Sequence, residues 1–148
     1  MPGRADLPAE RCADPVTRTF PAAPDQVRLA RQHLADVMQD SKSLYDATVC
    51  LSELVTNAIK HSRSRYAGFF TVQVARVTGV WRVSVGDEGG TWDMPAQHDH
   101  RQSHGRGLAV VTALASRWDI GGDGISGRVV WFEIDDHQVV DAAPARVD

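Results

Sequence analysis

The sequence predicts an α+β fold: a two-layer sandwich with helices on one face of a mixed, mostly antiparallel sheet, the other face being more solvated. Three observations predict it. Two stretches, near 25–38 and 43–62, repeat apolar residues at the three-four spacing of a helix. Two more, near 70–75 and 81–85, alternate apolar and polar residues on either side of a turn at Thr78-Gly79. A third helical stretch then starts near Gly105, and two strand-like runs follow it, joined by Gly121-Gly-Asp-Gly124.

A chain of 148 residues fits one domain with a core of its own. Residues 1–15 mix Pro, Gly, Arg and Asp without periodicity and read as a disordered tail; 137–148 read as a second tail, which leaves 16–136 as the domain. The hydrophobic share of 43% and charged share of 24% are those of a globular protein. A net charge of −3 offers no general attraction to nucleic acid or to an anionic membrane surface. No apolar run reaches the ~18 residues of a membrane span, and the N-terminus has no signal-like apolar region, so cytoplasmic residence is expected. Cys12 falls in the tail and Cys50 inside a helix, and no Cys-x-x-Cys or His-Glu-x-x-His pattern occurs, so neither a disulfide framework nor a metal site of those kinds is expected.

The elements follow in order. Thr17-Arg-Thr-Phe20 reads as a short first strand closed by Pro21. The first helix begins near Asp25, an N-cap residue type after Pro24, and buries the stripe Val27, Ala30, Leu34, Val37, with His33 on its surface. The second helix buries Leu44, Ala47, Leu51, Leu54, Val55 and Ala58. In the strand after the hairpin turn, Trp81, Val83 and Val85 share a face, and the alternation carries Asp87 inward at the strand end. An inward carboxylate needs donors, which a backbone turn at Gly89 and Gly90 or a ligand could supply. Residues 91–104 are polar and turn-forming and read as a mobile loop; its His98, His100 and His104 have no partner cysteine and do not suggest zinc. The third helix buries Leu108, Val111, Leu114 and Ala115, and Trp118–Ile120 and Gly127–Ile134 complete the sheet, with the tryptophans Trp81, Trp118 and Trp131 as packing residues.

The chemistry-bearing stretch is Leu51-Ser-Glu-Leu-Val-Thr-Asn-Ala-Ile-Lys-His61. Glu53, Asn57 and His61 stand four apart, one above another on a helix face and away from its apolar stripe. Taken alone, such a line is either a solvated face or a carboxylate, an amide and an imidazole placed to handle a metal-bound phosphate. Downstream come Asp87-Glu-Gly-Gly90 and Gly105-Arg-Gly-Leu108. Alone, each is a turn or a loop-to-helix junction as readily as a site.

The three boxes in this order, with Gly127-Arg-Val-Val-Trp-Phe-Glu133 at the end, resemble the ATP-binding (Bergerat) fold shared by gyrase, Hsp90, histidine kinases and MutL, over residues 17–135. Within that superfamily the chain is most similar to the small anti-sigma-factor serine/threonine kinases of bacteria. The resemblance implies ATP and Mg²⁺ as cofactors. It implies Asn57 as the Mg²⁺ ligand, Glu53 as general base, His61 near the phosphates and Asp87 as acceptor of the adenine amino group. It also implies Gly89 and Gly90 beneath the base, Gly105, Arg106, Gly107 and Leu108 at the phosphates, and 91–104 as the ATP lid. Two positions depart from the pattern: Thr91 stands where the second glycine of the first box is usual, and Arg128 and Val129 stand where relatives often carry threonine beside the adenine. The implied function is phosphorylation of an anti-sigma-factor antagonist of the STAS type and sequestration of a sigma factor by partner switching, in a homodimer by family analogy. A non-catalytic nucleotide-responsive regulator and a detached histidine-kinase-type ATPase are the alternatives; against the latter, no helix with a phospho-acceptor histidine precedes the boxes.

Overall fold

The computed structural model describes residues 14–61, 68–88, 105–122 and 127–136. The expected tails, apart from Asp14 and Pro15, and the 91–104 loop lie outside the described residues, as do Gly89 and Gly90. In chain order the elements are β1 (Val16–Pro21), α1 (Gln26–Met38), α2 (Leu44–His61), β2 (Phe69–Val77), β3 (Val80–Asp87), α3 (Gly105–Leu114), β4 (Arg117–Gly122) and β5 (Arg128–Asp135). Among the described residues the strands form one five-stranded sheet in the order β1-β2-β3-β5-β4, with every pairing antiparallel. This is the α+β class expected.

The β2–β3 hairpin is tight because Thr78 and Gly79 both take positive φ, 43° and 77°, as a two-residue turn of primed type requires. Register then puts Val72 opposite Val85 and Val74 opposite Val83, one apolar row beneath the helices. Phe20 joins the same layer from β1, stacked on Phe70 at 5.2 Å between ring centroids. The helices supply the facing layer: Ala30 and Leu34 from α1, Leu51 and Val55 from α2, Leu108 and Val111 from α3, all buried. Each fully buried Leu or Val contributes about 1.5–3 kcal/mol relative to an exposed one, so this layer carries most of the stability. The sheet's other face bears polar partners, with the Arg82 guanidinium 3.8 Å above the Trp131 ring and paired with Glu133. Cys50 is fully buried in α2, and burial pushes its thiol up to about 12, so it is an inert packing residue. No described helix is long and apolar enough to cross a membrane.

Two local expectations are corrected. Asp25 occupies the N-cap position of α1, but its side chain makes no capping bond; its backbone is helical (φ −74°, ψ −6°) rather than in the extended region a capping residue usually takes. His33, expected on the surface, is buried at 5% exposure, edge-on to Phe20 at 6.1 Å. Burial, helped by the Arg18 charge, lowers its pKa against the raising influence of nearby backbone carbonyls and Asp36. The unfolded chain therefore takes up this proton at about pH 6.5, and the folded chain only at lower pH. Stability from neutral His33 is complete above that pH and is lost as pH falls toward the folded value. Urea melts at about pH 7.5 and 5.5 are expected to show a larger acid loss in the wild type than in His33→Leu, which has no proton to take up.

Candidate functional site

The helical stretch 51–61 forms as one piece because Leu51, Leu54, Val55 and Ala58 hold it against the sheet. That packing leaves Glu53 and Asn57 partly exposed, one turn apart. Asn57 sits at the edge of the buried stripe. With Leu54 and Ala58 it lines a small enclosed cavity of about 20 Å³, closed on the far side by Asp87 of β3, Leu108 of α3 and Val130 of β5. Three residues read from three separated boxes thus meet in one place. The volume holds about one water, so a planar base would enter only with an outward shift of the α3 side.

Asp87 ends β3 on the helix side of the sheet, continuing the alternation of Trp81, Val83 and Val85. Directly across the ladder stands Arg128, the first residue of β5. The two side chains are 5% and 1% exposed, and Arg128 Nη1 lies 4.0 Å from Asp87 Oδ1. Burial lowers the Arg128 pKa and the neighbouring carboxylate opposes that shift, so the guanidinium stays charged. Removing either charge would take a countercharge from a buried group.

Asp87 also walls a second, open cavity of about 530 Å³ at the end of the sheet, shared with Phe69, Thr71, Gly86, Arg128 and Val129. That volume is of ligand size. Its rim is shaped at Gly122, where φ is 91° and an added Cβ would come within 2.6 Å of the Gly127 carbonyl oxygen; only glycine fits. Glu53, Asn57 and Leu108 do not line this larger space, and the box residues converge on the inner one.

The remaining predicted positions are placed as follows. His61 is the last residue of α2, and its side chain is outside the described residues. Gly105, Arg106 and Gly107 form the first turn of α3, where backbone amides have no partner within the helix, the kind of group that receives anions. Leu108, one residue further, is buried against the core. Among the described residues no group of three or more His, Cys, Asp or Glu side chains could hold a metal ion. The floor formed by Ile120 and Val130 was not singled out from sequence, although the two-residue period of β4 and β5 places both on the inner face.

A family model described as the histidine kinase-like ATPase domain matches residues 20–134. The chain belongs to that family. Membership in this ATPase-domain family implies ATP binding, with chemistry of the kinase or ATPase kind. The crystal structure of the RsbU and RsbW domains of a Mycobacterium tuberculosis protein is similar, with a TM-score of 0.63 and 22% identity over 83% of this chain and 32% of that one. The present chain therefore spans about a third of that neighbour. The SiaB–SiaC complex from Pseudomonas aeruginosa is similar at a TM-score of 0.53 and 15% identity, over 90% of this chain and 95% of the other. At these identities both show the fold of the histidine kinase-like ATPase domain and no more. No curated protein matches the chain.

Proposed function

We propose that the chain is an ATP-binding anti-sigma factor and serine/threonine-protein kinase that phosphorylates a STAS-type antagonist and thereby regulates a sigma factor by partner switching, in the cytoplasm. The observation that carries the reading is the convergence of Asn57, Asp87 and Leu108 on one cavity inside an ATPase-domain fold. One solved neighbour includes an RsbW domain and the other is a two-protein complex, which supports a partner-binding regulator. The domain is taken as 16–136, with a homodimer as the working assembly.

In this reading Asp87 accepts the adenine amino group, with Gly89 and Gly90 as the glycines of the same box. The amides at Gly105, Arg106, Gly107 and Leu108, with His61, meet the phosphates. The Asn57 amide oxygen is a hard donor of the type Mg²⁺ takes, so Asn57 would hold the ion. An ion held by Asn57 would supply positive charge near the transferred phosphoryl group. Glu53 takes the proton from the acceptor serine as its oxygen bonds to the γ-phosphorus and the bond to ADP breaks.

A second reading, a nucleotide-responsive regulator without phosphoryl transfer, is favoured by the closed inner cavity and by Arg128 beside Asp87. A phosphoprotein gel with candidate antagonists tests the choice. Acid-stable, Mg²⁺-dependent label on a serine is the expected result; ATP binding without label supports the second reading, and acid-labile label rejects both.

A further inference from the structure

We propose that two copies of this chain stack on each other through the outer face of the sheet, the face opposite the described helices. The inference rests on the homodimer taken above as the working assembly, and it names the surface. It starts from two glycines that lack a local reason. Gly86 lies within β3 and Gly121 within β4, and neither has a positive φ. Strand pairing runs unbroken through both, so neither marks a bulge. An added Cβ would meet nothing closer than 3.7 Å at Gly86 and nothing within 4 Å at Gly121. Glycine weakens a strand, and in an unbulged one it marks a place where another chain or a ligand comes close.

Strand register lays the outer face out in rows. Gly86, Val129 and Gly121 form a low row, part of the wall of the 530 Å³ cavity. Ser84, Trp131 and Asp119 form the middle row. Arg82, Glu133 and Arg117 form a tall one, where both arginines pair with Glu133 at 3.1 and 2.9 Å and Arg82 lies 3.8 Å over the Trp131 ring. One half of the face is therefore raised and the other hollow. Such a face fits its own copy. A two-fold axis between two stacked sheets, running across the strands at Ser84 and Trp131, sets each strand antiparallel over itself. Arg82 then faces Gly86 of the second copy, Arg117 faces Gly121, and further out Val77 faces Phe69, because each pair is equally far from the middle row on one strand. Val77 and Phe69 are exposed apolar residues, at 38% and 51%. Packed sheets lie about 10 Å apart and cross at about 30°, a rotation that moves the arginines by about one strand spacing at most. The two Asp119 carboxylates meet near the axis, and each has an Arg117 of the other copy beside it to offset the repulsion. A foreign partner would need no such match between the two halves of one face.

Sedimentation velocity of the full chain over a concentration series, with thermal melts alongside, tests the proposal. The wild type is expected to be a dimer. Gly121→Arg has room in the single copy but sets a guanidinium against Arg117 of the second, and is expected to weaken the dimer by at least ~30-fold, the scale of one interface hot spot. Adding Arg117→Ala to Gly121→Arg moves the bulk and the charge to the other side of the contact, and is expected to recover most of the affinity. Val77→Asp, at the outer pair, is expected to weaken the dimer as well, and it decides the matter if melting shows Gly121→Arg to be unfolded. A dimer unchanged by Gly121→Arg and Val77→Asp overturns the surface and leaves the homodimer standing. A double variant as weak as Gly121→Arg alone overturns the two-fold pairing. A monomeric wild type would remove both this surface and the homodimer.

Discussion

Asn57→Ala is expected to abolish Mg²⁺-dependent nucleotide binding and to leave the fold intact. The two halves of this expectation have separate grounds. Asn57 is partly exposed, and the stability of α2 comes from Leu51, Leu54, Val55 and Ala58 on its other flank. Alanine is the best helix former, so the helix gains slightly in propensity where the amide is removed. The loss falls on the site. Within the proposed machinery, Asn57 is the single protein oxygen assigned to the ion, and alanine has no oxygen to give. A magnesium ion held by few protein ligands depends heavily on each. The measurement is an ATP titration with Mg²⁺ and with EDTA, alongside a thermal melt. Wild-type affinity that falls on chelation, and a variant that is weak in both conditions with an unchanged melting temperature, is the expected pattern. Equal affinity in all four titrations would reject the ligand assignment and, with it, the idea that the α2 polar line faces a nucleotide.

How much of this was legible beforehand depended on whether spacing or residue type carried the signal. The β2–β3 hairpin was legible because alternation and the Thr78-Gly79 turn pointed the same way, and both turn residues do adopt positive φ. The inward Asp87 followed from counting by twos along β3. The burial of His33 and of Arg128 was not legible, for a shared reason. His33 lies three residues beyond Ala30 and four before Val37, on the buried stripe, and Arg128 lies in phase with Val130, Phe132 and Ile134. Spacing places both inside, while residue type puts His33 on the surface and leaves Arg128 noted only as a departure beside the adenine. The structure resolves this by giving each a local partner, Phe20 for His33 and Asp87 for Arg128. The strand order was not legible at all. That β5 rather than β4 lies beside β3 depends on contacts between distant parts of the chain, and no local pattern encodes it. The small inner cavity was likewise invisible, since its floor comes from Ile120 and Val130, ordinary strand residues by type.

Glu53→Ala is expected to separate binding from transfer. Glu53 stands one helical turn before Asn57, partly exposed, and it is not among the residues lining the inner cavity. Removing it takes nothing from the base or from the ion, so ATP affinity should stay near the wild-type value. Its proposed work comes later, when the serine oxygen attacks and must shed its proton. A positioned general base contributes 10²–10⁴-fold, so single-turnover transfer to the antagonist should slow by at least ~100-fold. Glu53→Gln sharpens the reading, because it keeps the length and hydrogen-bonding capacity of the side chain and removes its basicity. If the carboxylate acts as a base, Gln should be as slow as Ala; if it only orients the serine, Gln should recover much of the rate. A single-turnover rate equal to the parent in Glu53→Ala would mean that proton transfer uses another group. In that case the polar line of α2 would keep Asn57 and His61 as its nucleotide contacts, preceded by a solvated turn at Glu53.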